Sequence, residues 1–206
     1  RHRVQGHVLM FHPDLLVGTP LQNAMKNYGY FSYNTDEALF PTEREKSLLT
    51  DIFGKIDDEL HAEAPDMVVV VDYIKLVLDY CRRFYDRQFR DGTRANNDIL
   101  VRFERLCDDY YESDAPRRMG LLTVQYCADM LCLSPNYLSD AVRKYTGISP
   151  QKHIRQKTLA RAKELLTGTS KRINEIAEEL GFRQPQNFSA WFKNVEGHSP
   201  NEYRQK

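Results

Sequence analysis

The chain has 206 residues, 41% of them apolar and 28% charged, with Lys+Arg and Asp+Glu balanced at 29 each. That composition fits one or two packed domains and excludes wholesale disorder. The longest aliphatic run, Met67–Val71, spans five residues, far short of the ~20 that a membrane-spanning helix needs.

No charged-then-apolar signal segment opens the chain. It begins Arg1-His2-Arg3 without Met, as expected of a fragment. Val4–Phe11 and Leu15–Val17 are short apolar stretches interrupted by Gly6, Gly18, His12-Pro13-Asp14 and Thr19-Pro20. They read as the last strands or turns of a β-rich unit. Tyr28, Tyr30, Phe31 and Tyr33 form a dense aromatic group, expected to pack against a helix or the rest of that unit rather than to hold a ligand.

From Thr42 the period becomes helical. Thr42 and Glu45 make a capping box, and Leu48, Leu49, Ile52, Ile56 and Leu60 form one apolar stripe. Pro65-Asp66 ends that helix and starts another. There Val70, Ile74, Val77, Cys81 and Phe84 follow a 4-3-4-3 spacing, an a/d seam widened by Met67, Val71, Leu78 and Tyr85. One partner helix covers one edge of such a stripe, so a second copy is expected on the other, with Val70, Ile74, Val77, Leu78, Cys81 and Phe84 as the dimerisation seam. The alternative cover is a third helix with Ile99, Phe103, Leu106 and Tyr110 inward, reached through a polar connection at 91–97. Residues 112–120 hold Pro116, Gly120 and charges. They place a linker at 114–120, between a sensor or dimerisation remnant (1–113) and a C-terminal domain (121–206).

The last ninety residues contain an imperfect repeat. Ala128 and Leu131 match Ala177 and Leu180 at an offset of 49; Pro135, Ser139, Gly147 and Ser149-Pro150 match Pro185, Ser189, Gly197 and Ser199-Pro200 at 50. One extra residue, near Arg183, lies in the second copy's turn. Each copy reads helix, tight turn, helix. In the first, Thr123 caps a helix with Val124, Cys127, Ala128 and Leu131 inward. Cys132-Leu133 turn, Ser134 caps, and Pro135 opens a helix ended by Gly147. In the second, Ile173, Ile176, Ala177 and Leu180 face inward, Gly181-Phe182 turn with φ > 0 expected at Gly181, and Phe188, Trp191 and Phe192 anchor the next helix. A long helix from Ser149-Pro150 to about Leu166 joins the copies.

A helix-turn-helix suits DNA because its second helix fits the major groove. Pro135, Asn136, Ser139, Asp140, Arg143 and Lys144, and Pro185, Gln186, Asn187, Ser189, Ala190 and Lys193, are the outward candidates. Asn, Gln and Ser read base edges, while Arg and Lys serve bases or phosphates. The charge agrees: residues 114–206 carry 15 Lys+Arg against 9 Asp+Glu, and residues 1–113 carry 14 against 20.

Ile176-Ala177, Gly181-Phe182, Phe188-Ser189, Trp191-Phe192-Lys193, Gly197, Ser199-Pro200 and Tyr203-Arg204 together resemble the signature of AraC-type bacterial transcriptional regulators. The resemblance covers 121–206. Phe11-His12-Pro13-Asp14-Leu15 and the helices after it resemble, more loosely, the tail of that family's cupin-like sensor with its dimerisation helices. The resemblance implies a mainly α fold and a cytoplasmic DNA-binding half whose two recognition helices enter successive major grooves, ~34 Å apart. It puts base reading on Asn136, Ser139, Asp140 and Arg143, and on Gln186, Asn187, Ser189 and Ala190. Asp140 and Ala190 stand where the family often has arginine; Asp140 could accept from cytosine or orient Arg143. The implied partners are duplex operator DNA, a second copy, RNA polymerase and an effector that the sequence does not identify.

Catalysis finds little support. There is no Gly-rich phosphate loop and no Gly-x-Ser-x-Gly, and no cofactor is implied. His2, His7, His12 and Asp14 suit a metal, but a turn with exposed histidines is the expected reading, and His153 and His198 are expected to be backbone or surface partners. Cys81, Cys107, Cys127 and Cys132 form no CxxC pair and are expected as buried free thiols. Two rivals remain: a DNA-repair methyl-acceptor enzyme fused to such a domain, which needs an activated cysteine, and a helical protein-interaction module.

Overall fold

The computed structural model describes residues 6–91 and 95–205. Contacts divide the chain into two units, Arg1–Gly92 and Thr93–Lys206. Among the described residues every regular element is helical, and none is long and apolar enough to cross a membrane.

The first unit departs from the β-like start expected of a cupin-like remnant. His2 and Val4 lie outside the described residues, and residues 6–12 are neither helix nor strand. From Pro13 the backbone makes short 3-10 turns, with a five-residue helix, α1 (Pro20–Ala24), among them. A strand needs a neighbour to pair with, and no strand is present among the described residues. Pro13 and Pro20 each open a helical turn instead, where a missing amide costs nothing.

Helix α2 (Glu43–Leu60) starts at the capping box: Glu45 N–H donates to the Thr42 hydroxyl at 3.3 Å and Thr42 N–H donates to the Glu45 carboxylate at 2.8 Å. Ile52 and Ile56 are buried, Leu48 and Leu49 half-buried, and Leu60 exposed. α2 packs along α3 (Met67–Asp91).

The α3 seam is interior to one chain, which corrects its reading as a dimerisation surface. Val70, Ile74, Val77, Leu78 and Phe84 are all 5% exposed or less, and Cys81 is half-buried. α2 covers one edge, and the segment before residue 40 covers the other, with Leu16, Leu21 and Tyr28 in the same core. Polar contacts fasten this cover. The Tyr28 hydroxyl donates to Asp79 at 3.0 Å, the Tyr30 hydroxyl donates to the Leu78 carbonyl at 3.0 Å, and Tyr30 stacks on Tyr85 at 5.4 Å. Lys75 and Arg82 also bind Asp79, at 2.7 and 3.0 Å. Burial opposes the Asp79 charge, but the hydrogen bonds from Lys75 and Tyr28 and the Arg82 guanidinium outweigh it and hold the carboxyl below its usual range. Burial and the same aspartate push the Tyr28 hydroxyl up to about 12. The aromatic group thus packs on a helix as expected, except that Phe31 stays exposed.

In the second unit, α4 (Ala95–Glu112) lies against α6 (Val124–Leu131), α7 (Pro135–Thr146) and α8 (Pro150–Gly168). Residues 92–94, within the connection expected at 91–97, lie outside the described residues. Ile99, Phe103, Cys107, Tyr110 and Tyr111 are buried, while Leu106, expected inward, is only half-buried. The Thr158 hydroxyl donates to the Ile154 carbonyl at 2.8 Å, so Tyr111 is the donor in its 2.6 Å bond to Thr158. α4 therefore belongs with the C-terminal helices, not with residues 1–91.

Residues 114–120 are not an open linker either. They form α5 (Ala115–Met119), with Pro116 buried, and α5 packs on α9 (Ile173–Glu179). The Tyr110 hydroxyl donates to the Gly120 carbonyl at 2.8 Å. Pro116 and Gly120, read as punctuation between domains, serve as a helix start and a positive-φ cap at 92°. α10 (Pro185–Glu196) and α11 (Pro200–Arg204) complete the unit. Arg204 donates to the Leu166 and Lys171 carbonyls at 3.1 and 2.7 Å, tying α11 to the end of α8.

Candidate nucleic-acid interface

The two helix-turn-helix pairs, α6–α7 and α9–α10, are built alike. Ala128 and Ala177 are fully buried where each pair packs, with Leu131 and Leu180 beside them. Each first helix closes on a left-handed residue, Cys132 (φ 57°) or Gly181 (φ 89°), at equivalent places in the repeat. The bonds also match: Leu133 N–H donates to the Ala128 carbonyl at 2.9 Å and Phe182 N–H to the Ala177 carbonyl at 2.8 Å. This is a Schellman-type ending, which satisfies the last carbonyls of a helix.

The turns then differ by the one extra residue the repeat shows. Ser134 caps α7, accepting from Tyr137 N–H at 3.2 Å, whereas Gln184 precedes α10 without a side-chain cap. Gly147 and Gly197 end the two second helices in left-handed backbone, at φ 74° and 86°. Leu138 and Val142 fix α7 from inside, and Phe188 and Phe192 fix α10. Phe182 meets Phe188 edge-on at 5.3 Å and lies 5.2 Å from Trp191, so the aromatic pair after Gly181 sets the angle at which α10 leaves its turn.

None of the twelve candidate DNA-contacting residues is buried. Asn136, Arg143, Lys144, Gln186, Asn187, Ala190 and Lys193 are exposed, and Pro135, Ser139, Asp140, Pro185 and Ser189 are half-buried. On α7, Asn136, Ser139, Asp140 and Arg143 recur at three- and four-residue steps, which places them along one stripe. Gln186, Asn187, Ala190 and Lys193 do the same on α10. The Asp140 carboxylate lies 3.7 Å from the Arg143 guanidinium.

The sequence reading missed two features here. Tyr137, on the same helix, is buried and supports α7 from behind. Arg183 is exposed in the extra-residue turn before α10; its signal in the sequence was the insertion itself.

The other candidates fall elsewhere. The His12 and Asp14 side chains lie 3.3 Å apart, both exposed, and His7 stacks on Phe53. His153 packs against Phe103, a core contact rather than a surface one. All four thiols are free, but Cys132 is exposed, against expectation, because it sits in the left-handed turn and not on the α6 apolar face. Burial pushes the Cys81 thiol up; the Cys107 thiol donates to Cys127, and that bond together with burial pushes Cys107 up, while Cys127, the acceptor, is lowered by the same bond. For Cys81 and Cys107 that is opposite to the activation a methyl-accepting cysteine needs, and Cys127, fully buried, offers its sulfur to no substrate.

A helix-turn-helix domain family matches residues 127–206. The HTH-type transcriptional regulator YobQ of Bacillus subtilis, itself described as uncharacterized, is 30% identical over 158 residues, covering 72% of this chain and 66% of YobQ. Residues 127–206 belong to the AraC-type helix-turn-helix domains. The HTH-type transcriptional activator RhaS of an Enterobacter species is 33% identical over 78 residues, 38% of this chain and 28% of RhaS. Among solved structures, the C-terminal domain of AraT, a response regulator from Geobacillus stearothermophilus, is 33% identical, with a TM-score of 0.46 over 52% of this chain and 84% of that one. The AraC-type match falls on both helix-turn-helix pairs from Cys127 onward, and YobQ extends it toward the N-terminus. The chain spans less than two thirds of the length of each of these curated relatives.

Proposed function

We propose that this chain is a cytoplasmic, sequence-specific AraC-type regulator of transcription that sets α7 and α10 into two successive major grooves of duplex DNA. The observation that carries the reading is the pair of matched turns. Each delivers a helix whose outward stripe carries amide and basic side chains, with Asp140 the one acidic member of the two stripes, within residues 114–206 that hold 15 Lys+Arg against 9 Asp+Glu. Asn136, Gln186 and Asn187 supply the donor–acceptor pairs that read base edges. Arg143, Lys144, Lys193 and Arg183 supply charge for bases and phosphates. Asp140 repels nearby phosphate, so its service is to aim Arg143 or to accept from a cytosine amine. The protein's work is recognition, without a chemical step.

The test is a salt titration of the full chain on duplexes selected from a random pool. Phosphate contacts release counterions, so affinity should fall by a factor of about ten or more between 50 and 200 mM salt. Selected duplexes should hold the protein better than unselected ones at every salt concentration. No binding to any pool member at low salt is the result of a helical interaction module, and it ends this reading.

A further inference from the structure

A second charged site lies in the first unit, far in sequence from the recognition helices. Arg83, Arg87 and Arg90 follow one another on α3 at steps of four and three, on one face. With Arg44, in the first turn of α2, they line a cleft of about 450 Å³. Arg87 is committed: its guanidinium donates to Glu45 at 2.8 Å and to the Phe40 carbonyl at 3.0 Å. Arg44, Arg83 and Arg90 are exposed and have no anionic partner among the described residues. The α2 N-terminus contributes little itself, because Thr42 and Glu45 cap each other there. Leu48, Tyr80 and Phe84 give the cleft an apolar and aromatic side, with the Tyr80 and Phe84 rings 5.7 Å apart.

We propose that this cleft binds a small phosphorylated molecule, with Arg44, Arg83 and Arg90 on the phosphate and Leu48, Tyr80 and Phe84 against the organic part. Like charges gathered around one cleft repel until an anion joins them. Three guanidinium forks around one site offer more charge than a single carboxylate neutralises, and their geometry suits phosphate oxygens. The surroundings select a small ligand over a nucleic acid. Residues 1–92 hold 11 Lys+Arg against 15 Asp+Glu, so the unit's long-range field disfavours a long polyanion while the cleft favours a compact one. The cleft volume is in the range of small-molecule sites.

The experiment is calorimetric titration of the full chain, in chloride buffer, with phenyl phosphate, inorganic phosphate and citrate as probes. Phenyl phosphate should bind saturably and more tightly than inorganic phosphate, since only it reaches the aromatic side; citrate should be weakest. The triple variant R44Q/R83Q/R90Q should melt at the temperature of the parent and bind phenyl phosphate about tenfold more weakly or worse. If the triple variant does not fold, the single variants R44Q, R83Q and R90Q carry the test, each with a several-fold loss. Absence of saturable binding, equal affinity for the two phosphates, preference for citrate, or full affinity in the variants each overturns the proposal.

Discussion

Valine at position 181 should lower the melting temperature of the second unit by about 10 °C or more. Two costs add at this place. The backbone sits at φ 89°, where a β-branched side chain is a strained occupant. A Cβ there would also lie 2.4 Å from both the carbon and the oxygen of the Gly120 carbonyl and 2.8 Å from the Leu121 nitrogen. Those are backbone atoms at the end of α5, held by the Tyr110 hydroxyl, so they do not swing aside as a flexible side chain would. Together the strain and the overlap cost about 3 kcal/mol or more, and ~3 kcal/mol moves the midpoint of a domain of this size by ~10 °C. Trp191 is the chain's single tryptophan, and Phe182 lies 5.2 Å from it, so its fluorescence reports the turn directly. An unchanged midpoint would mean that the turn is built otherwise. The first copy shows the contrast: Cys132 occupies the equivalent left-handed position with its side chain exposed.

Ile74→Glu should unfold the first unit rather than release monomers. Ile74 is 1% exposed and shares its core with Leu16, Leu21, Tyr28, Ile52 and Ile56. A carboxylate placed there has no cationic partner, and the loss is about 4 kcal/mol or more. Val68→Glu is the control on the same helix, because Val68 is 67% exposed; it should leave the unit folded. Circular dichroism reads helix loss, while Trp191 fluorescence follows the second unit alone. A fully helical Ile74→Glu protein whose mass by light scattering is half that of the parent would restore the seam as an interface between copies.

These two positions also mark what the sequence discloses and what it withholds. Gly181 was legible because the repeat aligns it with a turn and because a short-range rule connects the turn to positive φ. The recognition stripes were legible for the same reason: three- and four-residue steps fix which side chains share a helix face. The apolar seam of α3 was equally plain, but a stripe does not name its cover. The cover turned out to be Tyr28, Tyr30 and the 3-10 turns around them, which carry no periodicity and reach α3 through hydroxyls to Asp79 and Leu78. α4 was misassigned because Pro116 and Gly120 look like a break in the chain, whereas they fold into α5 and close on the turn at Gly181. A fragment beginning at 114 would strip α4 from α6, α7 and α8 and leave the faces it covers bare.

Major-groove interference mapping on a selected duplex tests the central claim most directly. Methylating guanine N7 one base at a time and recovering the DNA that the full chain still binds should reveal two sensitive segments on one face, about one helical turn apart. In the double variant Q186A/N187A one segment should lose its sensitivity while the other, read by α7, keeps it. One segment only, or a pattern that the double variant leaves intact, contradicts two-groove reading by α7 and α10.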